Sequence, residues 1–317
     1  MSNFSFTPFT EEIISKYISP RANEFRLGQL APCGLDNSAE YAFIAIKEDI
    51  GPQTNLGRAG AINATDSFLA KFLNMQSNEF CSGKQICLYG FVEQHISFES
   101  QKEGFHLVEE LDELVEQHIL KIIQLGKIPV VIGGGHNNAY PIIKAHYSLN
   151  RVAMDIVNLD AHADTRALEG RHSGNPFSYA LSNGYIDQYS VLGLHKPYNS
   201  QYILDFLHNN ACRFRFFEDY ISDEQSLKID IESICAENPT NELGLELDMD
   251  CIAYMPSSAM GPSGFTLEEA RYFIRRFKQS NRKISYLHLP EAAPTTDDQA
   301  NITGKALAYL VYDFIRP

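Results

Sequence analysis

Asp160, His162 and Asp164 stand at alternate positions in NLDAHADTR (158–166), directly after the apolar run Met154 to Val157. Carboxylates and an imidazole at that spacing can hold a divalent cation if the backbone turns all three to one side. Side chains alternate faces along a strand, so an extended conformation carried past Leu159 would do this. LGLELDMD (243–250) repeats the arrangement with Asp248 and Asp250. VVIGGGHNN (130–138) presents His136 behind three glycines that let the chain turn tightly. Singly, each piece has a plainer reading: a polar loop leaving a strand, a glycine turn that could serve an anion, or a solvated strand end. Together they bring two imidazoles and four carboxylates to three strand ends. Four carboxylates so close would repel one another and raise each other's pKa unless cations intervened. An oxygen-rich set with imidazole and no thiolate suits Mn2+, and four carboxylates balance two divalent charges.

The elements that must position these residues follow from hydrophobic patterning. Short β-rich apolar runs occupy 41–46, 85–92, 128–134, 155–161, 189–194, 213–217, 243–249 and 284–289. Helical spacing lies between many of them, at Leu107 to Leu125, Ala139 to Tyr147, Leu267 to Phe277 and Gly304 to Phe314. Strands apolar on both faces that alternate with helices describe a parallel sheet covered on each side. The expectation is one α/β domain over 39–317, with about eight strands, preceded by a helical or irregular N-terminal extension over 1–38. In an open parallel sheet the crevice beyond the carboxyl ends of the strands is the binding site, which is where the three pieces fall. NGYIDQY (183–189) and PTNEL (239–243) read as surface turns.

A formal charge of −14 argues against a nucleic-acid binder, which normally carries a basic face, and favours a small molecule or metal ion as partner. No apolar run approaches the ~20 residues that cross a bilayer. The six cysteines show no CxxC spacing, and the N-terminus has no basic segment ahead of an apolar core, so a cytoplasmic location is expected.

GGGHNNAYP, NLDAHADTR and LELDMD resemble the three metal motifs of the arginase-like ureohydrolases, dinuclear manganese enzymes that include arginase, agmatinase and formimidoylglutamase. EDIGPQTNLGRAGA (48–61), RHSGNPFSYAL (171–181) and LPEAAPTTDD (289–298) are also similar to family segments, so the resemblance runs from about residue 40 to the end. It implies a single three-layer α/β domain with a mostly parallel eight-stranded sheet and two Mn2+ per subunit. Asp160 and Asp248 would bridge the two ions, with His136 and Asp164 completing one site and His162 and Asp250 the other. A metal-bridging hydroxide would attack a guanidinium or amidine carbon, with Asp164 passing its proton to the leaving nitrogen. Glu291 would hold the cationic end of the substrate. His172 is a candidate proton shuttle, although the shuttle position of arginase falls where this chain has Phe177. The resemblance also implies a tendency toward homo-oligomers, which no heptad or long apolar edge in this chain establishes.

Relatives differ in the tail of the substrate. Arg166, two residues past Asp164, should point into the same crevice, and arginine grips carboxylates with a bidentate fork. Asn175 and Arg58 join it as substrate-binding candidates, with Arg171 and Lys196 nearby in sequence; each cation reads equally as a surface charge. The Asp-x-Arg arrangement with HSGNPF and YSVLGLHKPYNS is most similar to formimidoylglutamases, which convert N-formimidoyl-L-glutamate and water to L-glutamate and formamide in histidine degradation. A guanidino hydrolase of agmatinase or arginase type, releasing urea, is the alternative. A catalytically silent relative is a third, because Ala253 in DMDCIAYMP stands where the family has an aspartate that supports the ligands.

Overall fold

The computed structural model describes residues 2–222, 226–237 and 242–317. Its nine strands are β1 (Phe4–Pro8), β2 (Tyr41–Lys47), β3 (Ile86–Gln94), β4 (Ile128–Ile132), β5 (Met154–Leu159), β6 (Ile186–Leu194), β7 (Arg213–Phe216), β8 (Glu242–Leu247) and β9 (Lys283–Leu289). They form one sheet in the order β1-β3-β2-β4-β9-β8-β5-β6-β7. All neighbours are parallel except β1 and β3. The eight apolar runs are thus strands, and the ninth comes from the N-terminal segment expected to be helical or irregular. Its Phe4 and Phe6 alternate with Ser5 and Thr7, a pattern too short to stand out, and it ends at Pro8, which an edge strand tolerates.

Alternation along β2 shows why the sheet is covered twice. Tyr41, Phe43 and Ala45 pack into one core with the helices Ala64–Phe72, Leu267–Lys278 and Asp297–Ile315. Ala42, Ile44 and Ile46 pack into the other with the helices Gln101–Gln124 and Ala139–Asn150. Polar caps set where helices start: Thr266 and Glu269 form a reciprocal capping box, and Thr296 accepts from the Gln299 amide. NGYIDQY is a turn only at its start, because β6 begins at Ile186 and pairs with Met154. Residues 239–241 of PTNEL lie outside the described residues. Among the described residues no helix is long and apolar enough to cross a membrane.

Candidate metal centre

Strands β4, β9, β8 and β5 are consecutive in the sheet, and the loops leaving their carboxyl ends carry His136, Glu291, Asp248 with Asp250, and Asp160 to Asp164. The six predicted ligands converge there. His136 Nδ1 lies 2.9 Å from Asp164 Oδ2, 3.1 Å from Asp248 Oδ2 and 3.3 Å from Asp160 Oδ2. His162 Nδ1 lies 3.1 Å from Asp250 Oδ2 and 3.7 Å from Asp160 Oδ1. Two clusters therefore share Asp160: His136, Asp160, Asp164 and Asp248, and Asp160, His162 and Asp250. Asp248 falls only in the first.

The convergence does not come from strand alternation. β5 stops at Leu159, and Asp160 Oδ1 instead accepts a hydrogen bond from the backbone amide of His162 at 2.7 Å. Asp248 does the same for Asp250, also at 2.7 Å. Each Asp-x-(His or Asp) piece is thus an Asx-type turn in which the first carboxylate folds the chain back over itself. Asp164 then adopts a left-handed backbone, φ 49°, as do Glu291 at 67° and Leu56 at 66°. All three line one cavity of about 380 Å³. Non-glycine residues pay for this conformation, and such strain collects at functional sites.

The rest of the scaffold is polar and buried. Glu48, fully buried, accepts from the Gly51 and Gly135 amides and from Asn138, pinning the glycine turn ahead of His136. Gly134 has φ 69°, and a Cβ there would press on Asn138 and Glu48. Asn199 bridges the 160–164 loop, accepting from Ala163 N and donating to Ala161 O. Glu291 accepts from the His136 amide at 2.7 Å and from the Ser258 hydroxyl. Ala253 contributes a backbone hydrogen bond to Phe265 O and no side-chain support.

The donor set fits a divalent cation. His136 Nδ1 and Asp250 Oδ1 are buried without a hydrogen-bond partner, an expensive condition that a cation relieves. Burial and the neighbouring Asp160 push the Asp164 carboxyl up to about 6. Burial, then Asp250 and Asp160, raise Asp248 well above the carboxylate range. Asp160 is held down at about 2: burial opposes this, and His136 and His162 prevail. Against the opposing effect of burial, the surrounding carboxylates raise His136 and His162 well above the ordinary imidazole value, so without cations the two rings offset part of the cluster's negative charge.

The residues predicted around this centre divide. Arg166 is exposed and lines the cavity with Glu291, Asn55, Ser173, Tyr198 and Asn199. Arg58 does not line it; its guanidinium donates to the Ser257 and Ser258 carbonyls. Asn175 is buried, accepting from Arg171 and the His172 amide while donating to Ala167 O and Gly170 O, so it shapes the loop. Arg171 is buried against Asp112 at 2.9 Å, with Tyr140 and Tyr179 facing its guanidinium. Lys196 pairs with Asp219. His172 is closed off from the cavity: Nδ1 accepts from the Gly174 amide and Nε2 faces Glu169. Burial lowers its pKa to about 4 against the opposing pull of Glu169.

Supporting residues that sequence reasoning missed include Asn158, whose Nδ2 donates to Asp160 Oδ2 at 2.9 Å, and Glu246, 3.4 Å from His136 Nε2. Their signal was available: Asn-Leu-Asp and Glu-Leu-Asp each put a polar residue inside an otherwise apolar strand, two positions before the first carboxylate.

Among known proteins, the chain is 28% identical over 274 residues to a formimidoylglutamase of Staphylococcus haemolyticus, covering 84% of this chain and 83% of that one. In fold it is similar to the formimidoylglutamase of Bacillus subtilis, with a TM-score of 0.77 at 17% identity over 94% of this chain and 93% of the other. A Trypanosoma cruzi formiminoglutamase solved with Mn2+ gives a TM-score of 0.73 at 18% identity, over 93% of this chain and 100% of that one. A model of the Arginase family matches residues 40–316, spanning every loop that carries a candidate ligand, and the chain belongs to that family.

Proposed function

We propose that this chain is a dinuclear manganese hydrolase that converts N-formimidoyl-L-glutamate and water to L-glutamate and formamide. The observation that carries the reading is the convergence of His136, Asp160, His162, Asp164, Asp248 and Asp250, four of which, His162, Asp164, Asp248 and Asp250, line a cavity shared with Glu291 and Arg166. When bound, two Mn2+ ions supply Lewis acidity and make water nucleophilic near neutral pH. The chain's own residues do the rest. Glu291, buried in the cavity wall and fixed by hydrogen bonds from the His136 amide and the Ser258 hydroxyl, pairs as a carboxylate with the amidinium of an incoming substrate. Asp164 is placed to take a proton from the attacking water and deliver it to the leaving nitrogen. Arg166 binds a carboxylate of the glutamate tail.

One observation favours a second reading. Arg166 is the only Lys or Arg side chain among the described residues that line the cavity, whereas the glutamate tail carries two carboxylates. A guanidino acid with a single tail carboxylate needs one cation and would release urea. Mn2+-loaded protein offered both substrate types decides between them: formamide from formimidoylglutamate supports the first reading, urea from a guanidino acid the second, and neither product removes both.

A further inference from the structure

Asn158, Glu246 and His288 are cross-strand partners in one row over β5, β8 and β9, on the sheet face that meets His136. All three are fully buried. Glu246 is the centre of the row. One of its oxygens accepts from the Tyr286 hydroxyl at 2.7 Å. The other lies 2.7 Å from His288 Nδ1 and 3.4 Å from His136 Nε2. The arrangement is built deliberately into the sheet: the Tyr286 ring lies across Gly244, where a Cβ would meet it at 2.5 Å. A buried carboxylate costs several kcal/mol unless its partners are well placed, and an apolar side chain would fill an ordinary strand position more cheaply.

We propose that Glu246 is a positioning residue for the metal centre, orienting His136 so that Nδ1 faces Asp160, Asp164 and Asp248. The inference rests on the metal reading of that cluster. His136 has carboxylate oxygen at both ring nitrogens. A cation held at Nδ1 would leave the ring proton on Nε2, which has no hydrogen-bond partner in this structure and lies 3.4 Å from Glu246 Oε2. His288 and Tyr286 hold Glu246 from the other side, so they act on the centre at one further remove. His136, Glu246 and His288 would also satisfy the spacing of a separate three-ligand metal site. The 2.7 Å contacts from Glu246 to His288 and Tyr286 are hydrogen-bond distances that hold the carboxylate in place and leave Oε2 an acceptor site toward His136.

The test is Mn2+ binding rather than turnover. Wild type, Glu246→Gln, Glu246→Ala and Tyr286→Phe are stripped of metal, checked for folding by circular dichroism and thermal melting, and titrated with MnCl2 by calorimetry and by the electron paramagnetic resonance of free Mn2+. Wild type is expected to take up two Mn2+ per chain. Glu246→Ala should weaken one of the two by about 10–100-fold, Glu246→Gln by less because an acceptor oxygen survives, and Tyr286→Phe by a few-fold. Losses of this order in variants that fold support the proposal, and if Glu246→Ala fails to fold the other two variants still decide it. Unchanged affinity for both ions in the folded variants overturns it, as does a wild type that binds three Mn2+ and loses the third on substitution, which would make Glu246 a ligand. A wild type that takes up no Mn2+ overturns the metal reading itself and this inference with it.

Discussion

At its floor the cavity is walled by Asp248, Asp250 and Glu291, all buried, with Asp248 accepting from the Asp250 amide and Glu291 from the His136 amide. Toward solvent it is bordered by Leu56, 83% exposed, Tyr198, 53% exposed, and Arg166, whose guanidinium is free to meet a ligand. The floor is fixed by buried hydrogen bonds, whereas the rim is exposed and the Arg166 guanidinium is held by no hydrogen bond among the described residues. Preorganised groups of the first kind suit chemistry, because they need no rearrangement in the transition state, while exposed groups of the second kind suit discrimination among substrate tails.

Substitutions graded from floor to rim test that division. Asp160→Asn removes the carboxylate common to both clusters, and turnover should fall below detection together with Mn2+ content measured by atomic absorption; a variant that keeps both would dissolve the idea of a shared centre. Glu291→Gln keeps shape and loses charge, and kcat/KM should drop by about 10²–10³ with the Mn2+ content intact. Arg166→Ala should raise KM by about tenfold with kcat nearly unchanged, since one charge-assisted hydrogen bond in a solvent-exposed setting contributes ~1.5 kcal/mol to binding. A fall in kcat instead would move Arg166 from the rim to the floor. The smallest effect belongs to His172→Gln: its ring is sealed behind Gly174 and Glu169, so steady-state kinetics should change by less than about threefold, where a proton shuttle would lose far more.

The contrast also explains what could be read from the chain. Strand alternation and strand ends are local, so the eight apolar runs and the six candidate ligands were visible in one dimension. How the ligands converge was not: the expectation of extended strands past Leu159 overlooked that an aspartate followed two residues later by a free amide closes an Asx turn. Arg171 and Arg58 looked like candidates for the substrate tail because their segments resemble the family's, yet Asp112 claims one and the Ser257 and Ser258 carbonyls the other. Those partners lie 59 and about 200 residues away in sequence, beyond any pattern a single chain displays. Asn158 and Glu246 were within reach, since a polar residue amid Leu, Ile and Val inside a strand needs a partner.

The antiparallel strand Phe4–Pro8 carries a consequence far from the centre. It covers the outer edge of β3, whose Ile86 to Val92 stretch would otherwise offer a row of unpaired amides and carbonyls flanked by apolar side chains. Ending in proline, it offers little for another chain to pair with. Shortened forms lacking the first ten residues would expose that edge and self-associate at concentrations where the whole chain stays dispersed. The handling of this protein in a test tube thus depends on five residues with no part in its chemistry.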